Sequence, residues 1–83
     1  MIMEKKEIQA KVITTVQNLS DGTLVKEDSI LEDIGITSLK FIRLVVELEK
    51  ECDMRFEDND INVSLFNNIQ DITNYIWNKK NNI

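Results

Sequence analysis

Ser38-Leu39-Lys40-Phe41-Ile42-Arg43-Leu44-Val45-Val46-Glu47-Leu48-Glu49-Lys50-Glu51-Cys52 is the stretch on which the fold turns. It holds neither glycine nor proline, so nothing in it interrupts a helix. With Ser38 at zero and an advance of about 100° per residue, Phe41, Leu44, Val45, Leu48 and Cys52 gather near roughly 300° on the wheel. Leu39, Ile42 and Val46 gather separately near roughly 70°. Lys40, Arg43, Glu47, Lys50 and Glu51 fill the polar sector. One apolar stripe is enough to join a helix to a small core, and the wider one suits that task. The second stripe has two readings. Either the helix is buried on two sides, or Leu39, Ile42 and Val46 form an exposed strip that meets a partner, an apolar surface rimmed by charge.

Upstream, Ile8, Val12, Val16 and Leu19 recur at helical spacing and predict a helix from about Met3 to Leu19. That helix closes near Ser20-Asp21-Gly22, where Gly22 is able to take a left-handed terminal conformation. Thr23 to Thr37 reads as a long connection pinned by Leu24, Ile30, Leu31, Ile34 and Ile36, with Ser29 to Asp33 as a helical turn. Downstream, Asp53 to Asn62 is polar and acidic, and Val63-Ser64-Leu65-Phe66 suggests a short helix. Ile69 to about Lys79 is the last helix, with Ile69, Ile72, Tyr75 and Ile76 on one side, Trp77 off that stripe near the bundle end, and Asn78 to Ile83 fraying. The expected architecture is all-α: a small four-helix bundle made of three principal helices plus one short helix, residues 1–83 forming one domain.

The chain of 83 residues has Lys and Arg totalling 10 against 15 Asp and Glu, a net charge of −5. That balance repels phosphate backbones, disfavours nucleic acid and favours partners with basic patches. Histidine is absent, which removes the commonest general base and metal ligand. Cys52 is the only cysteine, so neither an internal disulfide nor a cysteine zinc site can form. The charged start Met1-Ile2-Met3-Glu4-Lys5-Lys6-Glu7 does not read as a secretion signal, and no segment approaches a membrane span. The expectation is a soluble, cytoplasmic monomer without catalytic activity of its own. Cys52 reads as a small buried hydrophobe rather than a catalytic thiol. Glu57-Asp58-Asn59-Asp60 lacks the glycine and terminal glutamate of a calcium loop and reads as solvated linker.

Leu31-Glu32-Asp33-Ile34-Gly35-Ile36-Thr37-Ser38-Leu39 resembles the modification site of the acyl and peptidyl carrier proteins. Ile34, Gly35, Ser38 and Leu39 match that family's pattern of an apolar residue, glycine, then serine and leucine opening the second helix. Thr37 departs from it, standing where acyl carriers commonly have Asp. The resemblance extends over most of the chain, including Phe66, Ile69, Ile72, Tyr75 and Ile76. It implies that a phosphopantetheinyl transferase, using magnesium and coenzyme A, attaches 4'-phosphopantetheine to the Ser38 hydroxyl. The arm's terminal thiol then carries cargo as a thioester. The local physics is compatible: at the start of a helix a phosphodiester gains about 0.3–1 kcal/mol from the helix dipole. The alternative is that Thr37 or Ser38 serves only as a helix cap. Neither Lys40 nor Phe41 completes a capping box.

Two fates remain for such a carrier. Acyl carriers of fatty acid synthesis usually have an acidic second helix, whereas Lys40 and Arg43 put positive charge beside Ser38 and should weaken docking to basic enzyme patches. The resemblance thus leans towards a dedicated, peptidyl-carrier-like pathway of specialised biosynthesis, such as that of a nonribosomal peptide. Its partners would be an adenylating ligase or acyl-loading enzyme and downstream condensing or modifying enzymes. Thr37, Leu39, Lys40, Ile42, Arg43 and Val46 are the candidate partner-facing residues. A helical interaction module that has lost its arm is the remaining alternative.

Overall fold

The computed structural model describes residues 4–20 and 24–81. Three α-helices carry the fold: α1 (Lys5–Leu19), α2 (Ser38–Cys52) and α3 (Ile69–Asn81). Two single 3₁₀ turns, Asp58–Asp60 and Val63–Leu65, lie between α2 and α3. Among the described residues there is no strand, only an isolated antiparallel bridge joining Ile30 to Asn68. The all-α bundle expected from the sequence is therefore present, with two 3₁₀ turns in place of one short helix.

Each helix buries the stripe that its periodicity marks. Ile8, Val12 and Val16 on α1, Leu44, Leu48 and Cys52 on α2, and Ile69, Ile72 and Ile76 on α3 are fully removed from solvent. α1 packs against both α2 and α3. Aromatic rings bridge α2 to α3: Phe41 lies 5.4 Å from Phe66, which meets Tyr75 edge-on at 5.5 Å. Phe56 stacks on Tyr75 at 4.8 Å. Such pairs contribute about 0.5–1.5 kcal/mol each beyond the area they bury.

Three expectations need correction. Leu24 is not a pin: it is 70 % exposed, and its neighbour Val25 enters the core at 5 % exposure. In extended chain, consecutive side chains point opposite ways, so a one-residue misreading exchanges inside for outside. The run Val63 to Phe66 makes only one 3₁₀ turn, with Leu65 exposed and Phe66 buried. Asn62 caps the start of that turn, its Oδ1 accepting from both the Ser64 amide at 3.0 Å and the Ser64 hydroxyl at 2.8 Å. Finally, Asn78 to Asn81 remain helical. Lys80 Nζ donates to the Cys52 carbonyl at 2.6 Å and Lys79 pairs with Glu57 at 2.9 Å, tying the last turn to the end of α2 and the segment after it. Gly22 and Met3 lie outside the described residues, as do the last two residues of the tail.

A two-sided clamp starts α3. Asn68 Oδ1 accepts from the Asp71 amide at 3.0 Å, and Asp71 Oδ2 accepts from the Asn67 amide at 2.8 Å. These bonds satisfy donors that a helix start otherwise leaves free. With Leu31 N–H donating to Asn67 and Ile69 N–H to Ser29, they fasten the long connection to the head of α3.

Candidate functional site

Glycine builds the site. Ile34 N–H donates to the Ile30 carbonyl at 3.2 Å, a helical turn where Ser29 to Asp33 predicts one. Gly35 ends it at φ +84°, a left-handed conformation that an L-residue with a Cβ adopts only under strain. Gly35 N–H donates to Glu32 at 3.2 Å and Ile36 N–H to Leu31 at 2.9 Å, completing a Schellman motif. Its apolar contact is supplied by Leu31 and Ile36, both buried. Two residues later α2 begins, so the turn and the helix start share one closed set of backbone bonds.

Thr37 is the N-cap of α2 and its side chain accepts from the Lys40 amide at 3.3 Å. Its carbonyl accepts from Phe41 N–H at 2.8 Å. Ser38 is the first helical residue and is exposed. The amides of Ser38 and Leu39 lie in the first turn, where the helix itself offers no acceptor. A Cβ built on Gly35 would meet nothing within 4 Å, so the approach over the turn is open. The capping role of Thr37 and the exposure of Ser38 are separate facts: the cap falls to the threonine, and the serine hydroxyl is left free for other chemistry.

A groove of about 390 Å³ opens beside Ser38, lined by Leu31, Ile36, Val63, Ser64, Phe66 and Asn67 among others. Sequence reasoning missed its far wall. Val63 and Asn67 come to Ser38 only through the bridge between Ile30 and Asn68, and long-range closure of that kind leaves no periodic signal.

The second stripe of α2 is solvent-facing. Leu39 is 72 % exposed, Ile42 51 % and Val46 45 %, so burial on two sides is excluded. Arg43 is exposed and Lys40 half-buried beside them. Of the six residues marked near Ser38, Leu39, Ile42, Val46 and Arg43 are exposed on adjoining sectors of α2, while Thr37 is its N-cap and Lys40 lies further round the helix. Elsewhere the chemistry is structural. Cys52 is buried and desolvation pushes its thiol above the ordinary 9.0, which disfavours the thiolate. Tyr75 donates to Asp60 Oδ2 at 2.7 Å and accepts from Glu57 N–H at 3.1 Å, and burial is the main cause that raises its phenol above 10.0. Glu57 and Asp60 are thus engaged with Lys79 and Tyr75, and the described residues include no cluster of three or more His, Cys, Asp or Glu able to hold a metal. Nor do they include a helix long and apolar enough to cross a membrane.

The chain matches a family model described as a phosphopantetheine attachment site over residues 10–76. It is 32 % identical over 68 residues to an acyl carrier protein of Campylobacter lari, covering 82 % of this chain and 86 % of that one. It is also 34 % identical over 71 residues to acyl carrier proteins of Campylobacter jejuni, covering 84 % and 90 %, and 29 % identical over 69 residues to one of Buchnera aphidicola, covering 83 % and 85 %. Carrier proteins of this kind bear a covalent 4'-phosphopantetheine, meet phosphopantetheinyl transferases and acyl-handling enzymes, and generally lack catalytic activity of their own. An exposed hydroxyl at an open helix start, with a groove alongside, fits such a group. By the match over most of its length and by its helical bundle, this chain belongs to the acyl carrier protein family, with 4'-phosphopantetheine as its prosthetic group.

Proposed function

We propose that Ser38 is the attachment residue and that the 83-residue chain works as one monomeric, cytoplasmic carrier unit. The observation that carries this reading is the position of Ser38: exposed, first in α2, and three residues after the left-handed Gly35. Thr37 takes the capping bond, so decoration of Ser38 costs the helix no hydrogen bond. No histidine exists to activate the hydroxyl. Ser38 is accordingly a passive acceptor, its oxygen forming a phosphodiester as the pyrophosphate of coenzyme A breaks, 3',5'-adenosine bisphosphate leaves and the proton passes to the transferase. The arm, when bound, supplies a terminal thiol that holds cargo as a thioester. Leu39, Ile42 and Val46 present the apolar face on which enzymes dock, with Arg43 beside it and Thr37 and Lys40 at the head of α2.

Intact-mass measurement after incubation with coenzyme A, magnesium and a broad-specificity transferase tests the assignment. One phosphopantetheine per chain is expected, and none on Ser38→Ala. An adduct that persists in the alanine variant would place the arm elsewhere. A protein that stays unmodified would leave the interaction-module reading in its place.

For the pathway, Lys40 and Arg43 support a dedicated route with an acyl or aminoacyl cargo loaded by its own ligase. The name shared by the relatives, acyl carrier protein, favours the second reading, an acyl carrier of fatty acid synthesis. Malonyl loading by a fatty-acid malonyl transferase separates them. A dedicated carrier is a poor substrate that improves on Lys40→Glu with Arg43→Glu; efficient loading of the unaltered protein supports the second reading.

A further inference from the structure

The chain is acidic, yet one flank of the apolar face is bordered by cations. On the wheel, Arg43 and Lys50 fall near roughly 140° and 120°, directly beside the stripe of Leu39, Ile42 and Val46. Just past the helix, Met54 and Arg55 join Val46, Glu49, Lys50 and Asp53 in lining one shallow groove of about 380 Å³. Arg43, Lys50 and Arg55 are all exposed, and none is in an ion pair among the described residues. The carboxylates nearby are largely committed or displaced. Glu49 Oε2 accepts from the Phe56 amide at 2.9 Å, and Glu51 pairs with Lys11 of α1 at 3.5 Å. Glu47 lies beyond Arg43, lining a different groove with Glu51 and α1 residues. Asp53, at the C-cap of α2, is exposed on the same groove, which Glu49 also lines. Glu32 and Asp33 sit before Ser38, at the opposite end of the face.

Charge is therefore unevenly placed: the apolar strip is flanked on one side by Arg43 and Lys50, with Arg55 just beyond the helix, and on the other by Glu49, whose carboxylate is held by the Phe56 amide, on a molecule of net charge −5. Unpaired cations around an exposed apolar centre set the sign of what can dock, because like charges across an interface are costly and opposite ones steer encounter. We propose that α2 is read by a protein surface whose apolar centre is bordered by carboxylates, aligned with Arg43, Lys50 and Arg55. This rests on α2 being the docking helix, as in the function proposed above, and specifies the chemistry of the partner. It reverses what net charge alone suggests, namely a basic partner. An anionic lipid surface is the weaker occupant, since the whole molecule carries the same sign as the lipid and only a narrow strip is apolar.

The test uses the full-length Ser38→Ala protein, so that it is independent of the arm. Two labelled amphipathic helical peptides with the same leucine face, one bordered by glutamate and the other by lysine, are titrated by fluorescence anisotropy. The glutamate peptide is expected to bind about tenfold or more tightly than the lysine peptide, with the advantage shrinking as salt rises. Arg43→Glu with Arg55→Glu should invert the order, whereas Lys5→Glu with Lys6→Glu, of equal charge change on α1, should leave it intact. Equal binding of both peptides, preference for the lysine peptide, or an equal response to the α1 exchange would overturn the proposal. So would co-sedimentation with phosphatidylglycerol vesicles without peptide discrimination, or self-association through this face in sedimentation equilibrium. Failure of Ser38 to accept an arm alters none of these readings, so the two ideas fail separately.

Discussion

The two stripes of α2 are chemically alike and structurally opposite. Phe41, Leu44, Val45, Leu48 and Cys52 are each at most 2 % exposed, while Leu39, Ile42 and Val46 on the same helix are 45 % exposed or more. Propensity cannot separate them, since both consist of good helix-compatible apolar residues. Their neighbours do: one stripe meets α1 and the aromatic bridge to α3, and the other is left largely open to solvent. What divides stability from recognition here is which side of a single helix the rest of the fold leaves uncovered.

The sharpest way to break that distinction is to truncate one residue on each side. Leu48→Ala, at a fully buried position, should lower unfolding free energy by about 2–5 kcal/mol, read from chemical denaturation. A loss below 1 kcal/mol would mean that the packed stripe is not the principal core. Gly35→Ala tests the junction from which both stripes start. Forcing a Cβ into the left-handed region should cost about 1–2 kcal/mol, although no atom stands in its way.

Alkaline titration separates the stripes by burial. The Cys52 thiol sits above its ordinary 9.0 in the folded chain, so its neutral form is favoured there. Such a group contributes stability that is intact below the unfolded value and is lost as pH rises through the folded one. Stability should begin to fall near pH 9.0, and less steeply in Cys52→Ala, in urea midpoints followed from pH 8 upward. An identical profile in both proteins would remove Cys52 from the account. The smallest effect is expected on the open side. Ile42→Ala should change stability by no more than about 0.5 kcal/mol while weakening enzyme docking several-fold. A stability loss as large as that of Leu48→Ala would show that the exposed stripe is covered after all.

Periodicity was enough to read all three helices and the stripe that each buries, because burying a face leaves a mark every three or four residues. The position of Ser38 at a helix start was legible for a local reason, since Gly35 and Thr37 punctuate the chain within a few residues. What was not legible depends on distant pairing. Leu24 and Val25 differ only in which way an extended segment points, and that is settled by the core it lies against. Val63 and Asn67 reach the groove beside Ser38 through a bridge to residues more than thirty positions earlier. Arg43 and Lys50 were legible on the helical wheel, but Arg55 lies beyond the helix, where wheel geometry no longer applies. Net charge, a sum over the chain, carries no information about which face the charges occupy.

The antiparallel bridge between Ile30 and Asn68 divides the long connection into two parts with different tolerance for change. After the bridge, the run to Thr37 is held by backbone bonds donated by Leu31, Ile34, Gly35, Ile36 and Thr37. One added residue there would rotate the head of α2 and shift the serine off its mouth. Before the bridge, Lys26 to Asp28 are exposed and held by a local turn, with Ser29 N–H on the Lys26 carbonyl at 3.0 Å and Lys26 N–H on Ser29 Oγ at 2.8 Å, so extra chain there costs those local bonds and a slowly growing closure entropy. A reporter peptide or a tether to a loading enzyme is therefore best spliced on that earlier side, where the serine and its groove are mechanically insulated from it.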